Sequence, residues 1–231
     1  MSKIIVSVKN LVKTYDSGKV KTYAVRGIGF DVGDGEFVAL SGPSGSGKST
    51  TLYQIGLLDS PTGGKTIING RDVSNLNDKQ KSDFRLNKIG YVFQHYELLP
   101  ELTSLENVYL PLRAKFNDED FMAKANKILD ELGLGDRKNH YPNELSGGEQ
   151  QRVSIARALV KTPDIILADE PTANLDSVAG EKIMELLKLL NRKYKTTIIV
   201  VNHEPAFDKY FDRIIRIKDG KVVKIDKRRK R

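Results

Sequence analysis

Four apolar runs, residues 37–40, 89–93, 165–168 and 197–201, are short and largely aliphatic or β-branched. They are hydrophobic at successive rather than alternate positions, which predicts strands buried on both faces of a parallel sheet. Elsewhere in residues 4–38 the pattern differs. There, β-rich stretches (4–8, 23–32 and 36–40) are separated by turn signals such as Gly33-Asp34-Gly35. Residues 66–69 and Val73 bracket Gly70 after Pro61-Thr62-Gly63-Gly64. This predicts an antiparallel sheet beside the parallel one. After Gln94 the period becomes helical as far as about residue 160. It includes stretches at 105–112 and 118–132, the second stopped by Gly133 and Gly135. Residues 181–190 bring Ile183, Leu186, Leu187 and Leu190 to one helix face ahead of the strand at 197–201. A hairpin, 214–217 with 221–223 about Asp219-Gly220, ends the pattern.

Two of the buried runs end on chemistry. Run 37–40 leads into Gly42-Pro43-Ser44-Gly45-Ser46-Gly47-Lys48-Ser49-Thr50 and a helix to residue 58. Gly-x4-Gly-Lys-Ser between a strand and a helix is the P-loop pattern. Its glycines let backbone N–H groups converge on a β-phosphate, and the helix N-terminus adds a positive dipole end. Lys48 supplies a cation for the β- and γ-phosphates, and the Ser49 hydroxyl suits Mg²⁺. Run 165–168 ends on Asp169-Glu170. Adjacent carboxylates at a buried strand end are costly without a cation. Asp169 is therefore expected to hold Mg²⁺ through water. Glu170 is expected to take the proton of an attacking water, a contribution of ~10²–10⁴ in rate.

The hexapeptide Leu145-Ser146-Gly147-Gly148-Glu149-Gln150 is more telling still. Ser146 and Glu149 form a capping box ahead of a helix over 150–159. Two glycines in a first helical turn weaken it unless the backbone must approach something closely. One nucleotide needs one phosphate cradle. A second glycine-rich helix opening makes sense if two copies of the chain sandwich their nucleotides.

On these three motifs, in the chain order Gly42–Thr50, Leu145–Gln150, Ile165–Glu170, the chain resembles the ATP-binding subunits of ABC transporters over essentially its whole length. Pattern and resemblance together imply an α/β fold and a single domain over 1–231. A P-loop NTPase core with a mostly parallel sheet and a flanking antiparallel β subdomain would occupy 1–94 and 161–231. An inserted α-helical subdomain would occupy 95–160. The resemblance implies ATP hydrolysis with Mg²⁺, in which Glu170, His203, Gln94 and Lys48 are catalytic. Ser49, Gln94 and Asp169 would serve the metal. Gly42, Pro43, Ser44, Gly45, Ser46, Gly47, Lys48, Ser49 and Thr50 would hold the phosphates. Tyr15 matches the aromatic that stacks on adenine, a contact worth ~1–3 kcal/mol. Ser146, Gly147, Gly148 and Asp176, the last in Asn174-Leu175-Asp176, would reach across an ATP-dependent homodimer. Gln94 also marks where a separate integral membrane permease docks. The apolar residues after it (Tyr96, Leu98, Leu99, Leu102, Leu105) either form that coupling surface or belong to the helical core. His95 and His140 match nothing.

Several stretches are similar to one branch, which includes lipoprotein-releasing and macrolide- or peptide-exporting systems: Leu57-Leu58-Asp59-Ser60-Pro61-Thr62, Leu98-Leu99-Pro100, residues 102–108 and a longer loop over 16–22. Asn202 before His203, and Ala173, depart from the usual threonine and glycine. Two other readings stay open: a transmembrane signalling or cell-division complex, and an ABC ATPase acting on nucleic acid. The short Lys48-to-Ser146 separation and the single cassette speak against the last, so no nucleic-acid partner is expected.

Composition narrows the rest. Without cysteine the chain has no disulfide, thiolate zinc site or thiol nucleophile. No apolar run approaches the ~18 residues of a membrane span, and the start carries no signal-peptide core. The expected location is cytoplasmic, peripheral on the inner face of the cell membrane through the permease. The net charge is +8, but residues 224–231 alone carry +5 and leave +3 for the remainder. That tail is expected to be a solvated end, with anionic lipid as the alternative contact.

Overall fold

In a computed structural model describing residues 3–18, 20–113 and 119–227, the phosphate loop springs from β3 (Phe37–Ser41), inside a six-stranded sheet. Its parallel neighbours are β8 (Thr197–Asn202) and β9 (Arg213–Lys218). Beyond β8 lie β7 (Ile165–Asp169) and the edge strand β6 (Ile89–Val92), both parallel. The other edge, β10 (Lys221–Lys227), runs antiparallel to β9.

Every residue of β3, β7 and β8 is buried. Alternate positions serve two separate cores, which explains the absence of polar alternation in the sequence. Phe37, Ala39, Ile166, Ala168, Ile198 and Val200 face the helical side. Val38, Leu40, Ile165, Leu167, Ile199 and Val201 face the antiparallel sheet. That second sheet has the order β2 (Lys21–Gly33), β1 (Ile4–Asp16), β4 (Gly63–Ile68) and β5 (Arg71–Asp72). The loop expected over 16–22 is shorter, because β1 and β2 pair as far as Asp16 and Lys21. The β4–β5 turn uses Asn69 (φ 51°) and Gly70 (φ 78°), the left-handed pair of a tight hairpin, and leaves Val73 outside the strand.

Helix α1 (Lys48–Ile55) ends earlier than residue 58, and Leu57 adopts φ 60°. Helix α2 (Asp78–Lys88) was not foreseen. None of its residues is buried, so it offers no apolar stripe. Its one signal is a capping box: Asn77 Oδ1 accepts from the Gln80 N–H at 2.9 Å, and Gln80 Oε1 accepts from the Asn77 N–H at 3.0 Å.

Past Gln94 come α3 (Ser104–Arg113), α4 (Glu119–Glu131) and α5 (Gly147–Leu159), with no strand among the described residues there. Val108, Leu112, Ile128, Leu129 and Val153 share the helical-side core with the sheet. Leu98 and Leu105 pack partly against it, whereas Leu99 is exposed. Residue 118, expected to begin α4, lies outside the described residues. Helix α6 (Ser177–Tyr194) exceeds 181–190 at both ends and adds Met184 to the core, while Leu186 is only half-buried. Residues 224–227 are mostly exposed, as a solvated end would be, but they are part of an ordered strand. They complete β10, where Asp226 pairs with Arg216 Nε at 2.7 Å and with Lys224 at 2.6 Å. Residues 228–231 lie outside the described part.

Candidate active site

The loop from β3 to α1 is shaped by close approach. Gly42 has φ 153°, and a Cβ there would sit 2.0 Å from the Ile217 carbonyl oxygen. At Gly47 (φ 95°) a Cβ would meet the Ala24 carbonyl oxygen at 2.3 Å. No residue with a Cβ fits either place without strain. Lys48 opens α1 buried, and its ammonium donates to the Pro43 carbonyl at 2.9 Å. Burial pushes its pKa below the usual lysine value, against the opposing pull of Glu170 and Asp169. The Ser46 hydroxyl is buried without a partner. The loop faces an open cleft of about 730 Å³, whose wall also includes Lys21, Tyr23, Arg26 and Glu170.

Asp169 ends β7 almost fully buried, and both its oxygens are occupied from α1. Ser49 Oγ donates to Oδ1 at 2.8 Å and the Tyr53 hydroxyl to Oδ2 at 2.6 Å. Desolvation, followed by the bond to Asp169, raises the Tyr53 pKa well above that of a free phenol. Glu170 has φ 45°, a conformation costing a non-glycine residue ~1–3 kcal/mol. Its N–H is tied to the Val201 carbonyl at 3.2 Å, and its Oε2 lies 3.5 Å from His203 Nδ1. The structure thus brings Glu170 and His203 together. Asn202, the departure from threonine, closes the turn around His203 by two bonds to the Glu204 backbone, 2.8 and 3.2 Å.

The Gln94 carbonyl accepts from Asn174 Nδ2 at 2.8 Å, and the same amide lies 3.1 Å from His95 Nδ1. Asp176 caps α6, its Oδ1 accepting from the N–H groups of Val178 and Ala179 at 2.9 Å each. Tyr15 is half-exposed beside the cleft. Its hydroxyl donates to Asp59 Oδ2 at 2.8 Å, and the Lys13 ammonium sits 4.8 Å from its ring centroid. Burial and the Asp59 bond raise its pKa. The aromatic that lines the cleft is Tyr23, under the Arg26 guanidinium at 5.7 Å. Tyr53, Tyr23 and Arg26 were missed. Tyr53 was detectable, because it falls four residues after Ser49 on one helix face.

The capping box at Ser146 forms as read. Glu149 Oε2 accepts from Ser146 Oγ at 2.7 Å and from the Ser146 N–H at 2.8 Å, while Arg137 Nε holds Oε1 at 3.0 Å. These bonds, Ser146's first and Arg137's after the opposing cost of burial, lower the Glu149 pKa to about 2. A Cβ on Gly147 would sit 2.9 Å from the Tyr96 hydroxyl and 3.2 Å from Leu175 Cδ2, so part of the reason for a glycine here is close packing within its own chain. Gly148 has space, its nearest neighbour being Ala179 Cβ at 3.9 Å. Ser146, Gly147 and Gly148 line a separate cleft of about 330 Å³ with Asn174, Leu175 and Asp176. It shares no lining residue with the phosphate-loop cleft.

A family model described as ABC transporter matches residues 25–173. The chain is 46% identical over 220 residues to the lipoprotein-releasing system ATP-binding protein LolD of Geobacter metallireducens, covering 95% of this chain and 98% of that protein. It is 47% identical over 230 residues to the ABC transporter ATP-binding protein MJ0796 of Methanocaldococcus jannaschii, covering 97% and 98%. The dimeric post-hydrolysis structure of MJ0796 bound to ADP and Pi matches with a TM-score of 0.90 at 46% identity, over 98% of this chain and 100% of that one. The cbiO1 structure from Clostridium perfringens, part of a cbiONQ transporter complex, matches at 0.87 with 27% identity, over 98% and 89%. The chain therefore belongs to the ABC transporter family, as an ATP-binding and ATP-hydrolysing subunit.

Proposed function

We propose that this subunit works as half of a homodimer that closes around two ATP and drives a separate membrane permease of the export or lipoprotein-release type. One observation carries this reading: its two phosphate-type sites open into clefts with no lining residue in common. A second copy would bring Ser146 and Gly148 to the nucleotide held by the first copy's loop. The open space at Gly148 and the dimeric structures of MJ0796 support it. The lipoprotein-releasing relative supports the permease type. No helix among the described residues is long and apolar enough to cross a membrane, so attachment at the inner face would run through the permease, docking near Gln94.

The donor set fits Mg²⁺. Ser49 Oγ and Asp169 Oδ1 are hard oxygens 2.8 Å apart beside the loop, and the unpartnered Ser46 hydroxyl and the Gly42 and Gly47 cradle leave room for phosphate oxygens. Such a site suits an ion that takes few protein ligands and keeps substrate oxygens and water, with Gln94 completing the set. When bound, the ion neutralises charge developing on the transferred phosphoryl group. The chain's own residues do the remainder. Lys48 and the loop N–H groups hold the phosphates, and Tyr15 supports the base. Glu170, beside His203, takes the proton of the attacking water, and His203 faces the γ-phosphate. Asp176 reads the opposite site across the interface.

Lys48→Ala and Glu170→Gln test the assignment. Nucleotide affinity and steady-state phosphate release are measured for both. Lys48→Ala loses both, whereas Glu170→Gln keeps affinity and loses turnover by ~10²-fold or more. Near-normal hydrolysis by Glu170→Gln overturns the general-base role.

A further inference from the structure

We infer that Tyr53 is a positioning residue for the metal carboxylate: its hydroxyl holds Asp169 so that Oδ1 stays turned toward Ser49, and this sets how strongly Mg²⁺ is taken up with the nucleotide. The inference rests on the reading of Asp169 as a metal ligand given above.

The geometry is a division of labour on one helix face. Ser49 and Tyr53 stand four residues apart on α1, and each donates to a different oxygen of Asp169, at 2.8 and 2.6 Å. The terminal torsion of an aspartate is broad and about two-fold, so the backbone of β7 does not by itself decide where Oδ1 points. Two donors on two oxygens do decide it. Ser49 is itself a candidate ligand, which leaves Tyr53 as the partner outside the coordination sphere. Asp169 is 6% exposed, so without the tyrosine hydroxyl Oδ2 would be an unsatisfied buried charge and the carboxylate would turn to find another donor. Partners that orient a metal ligand in this way typically contribute 10–100-fold to metal affinity or activity.

The test is Tyr53→Phe, which removes one oxygen and keeps the ring, with Tyr53→Leu as a second variant and Asp169→Asn as the reference. Affinity for a non-hydrolysable ATP analogue is measured with saturating Mg²⁺ and again in EDTA, and unfolding is followed by circular dichroism. Tyr53→Phe is expected to keep its EDTA affinity within about twofold. The gain in affinity conferred by Mg²⁺ should shrink ~10-fold or more, and turnover should recover as Mg²⁺ is raised. If Asp169→Asn loses that gain and both Tyr53 variants keep it, the positioning role fails alone. If all three keep it, the metal reading of Asp169 fails too. An equal loss with and without Mg²⁺ places Tyr53 on the nucleotide or in packing and overturns the inference.

Discussion

Arg157 grips Tyr96 from the far end of α5: its guanidinium donates to the Tyr96 carbonyl at 2.7 Å and to the adjacent carbonyl of Glu97. Tyr96 and Glu97 both have positive φ, 62° and 50°, a strained pair immediately after Gln94 and His95. The hydroxyl of Tyr96 meanwhile lies against Gly147. Helix α5 thus contacts this turn at its first residue and again near its last. The turn after Gln94 and the glycine-rich helix opening form one connected unit.

Arg157→Ala removes both donors and leaves two carbonyls without their charged partner. The expected loss is about 2–4 kcal/mol, read as a lower urea midpoint. Arg157→Lys should recover less than half, since one ammonium lacks the planar fork that reaches both oxygens. An unchanged midpoint for Arg157→Ala would show that the turn is held by other contacts.

The homodimer is tested in solution. Glu170→Gln with MgATP should elute as a dimer in size-exclusion chromatography, and with ADP as a monomer. Adding Ser146→Arg should return it to monomer while ATP is still bound through Lys48. A double variant that dimerises as well as the single one removes Ser146 from the interface.

Glu149 gives a pH signature. Its folded pKa is depressed from 4.5 to about 2 by Ser146 and then Arg137. A depressed carboxylate contributes stability that is present above its unfolded pKa and is lost as pH falls through the folded one. The wild type should therefore lose this contribution between pH ~4.5 and ~2. Glu149→Gln should show a shallower decline over the same window and cost about 1 kcal/mol at neutral pH through the weakened cap. Parallel acid-unfolding curves for the two proteins would rule the linkage out.

Membrane association should depend on the permease. The chain is expected to pellet with membranes only when its permease is co-expressed, and removal of residues 228–231 should leave that mostly intact. Binding to protein-free anionic vesicles that disappears with this deletion would make the basic end a lipid contact.

The phosphate loop, the Asp169-Glu170 strand end and the capping box at Ser146 were legible because each is local. Turn chemistry, a helix start and a strand end need only neighbouring residues to declare themselves. Helix α2 was missed although Asn77 and Gln80 announced it, since a helix with no fully buried residue, only Phe84 packing partly against the core, writes no clear periodicity. At the basic end charge rightly says solvent, since residues 224–227 are mostly exposed, but it does not reveal that the ladder to β9 and the Arg216–Asp226 pair make them a strand.

By itself the sequence determined four of the five parallel strands, β9 being read only as half of a hairpin, together with the two glycine-rich helix openings and the chemistry at their tips, all encoded within a few residues. Only the tertiary structure decided which groups meet. Tyr53 reaches Asp169 because α1 packs beside β7, and His203 reaches Glu170 because β8 pairs in register with β7. Likewise, Tyr23 lines the cleft because the antiparallel sheet folds over the loop at Gly47. Such contacts join residues far apart in the chain, and their distances follow from packing that no local pattern specifies.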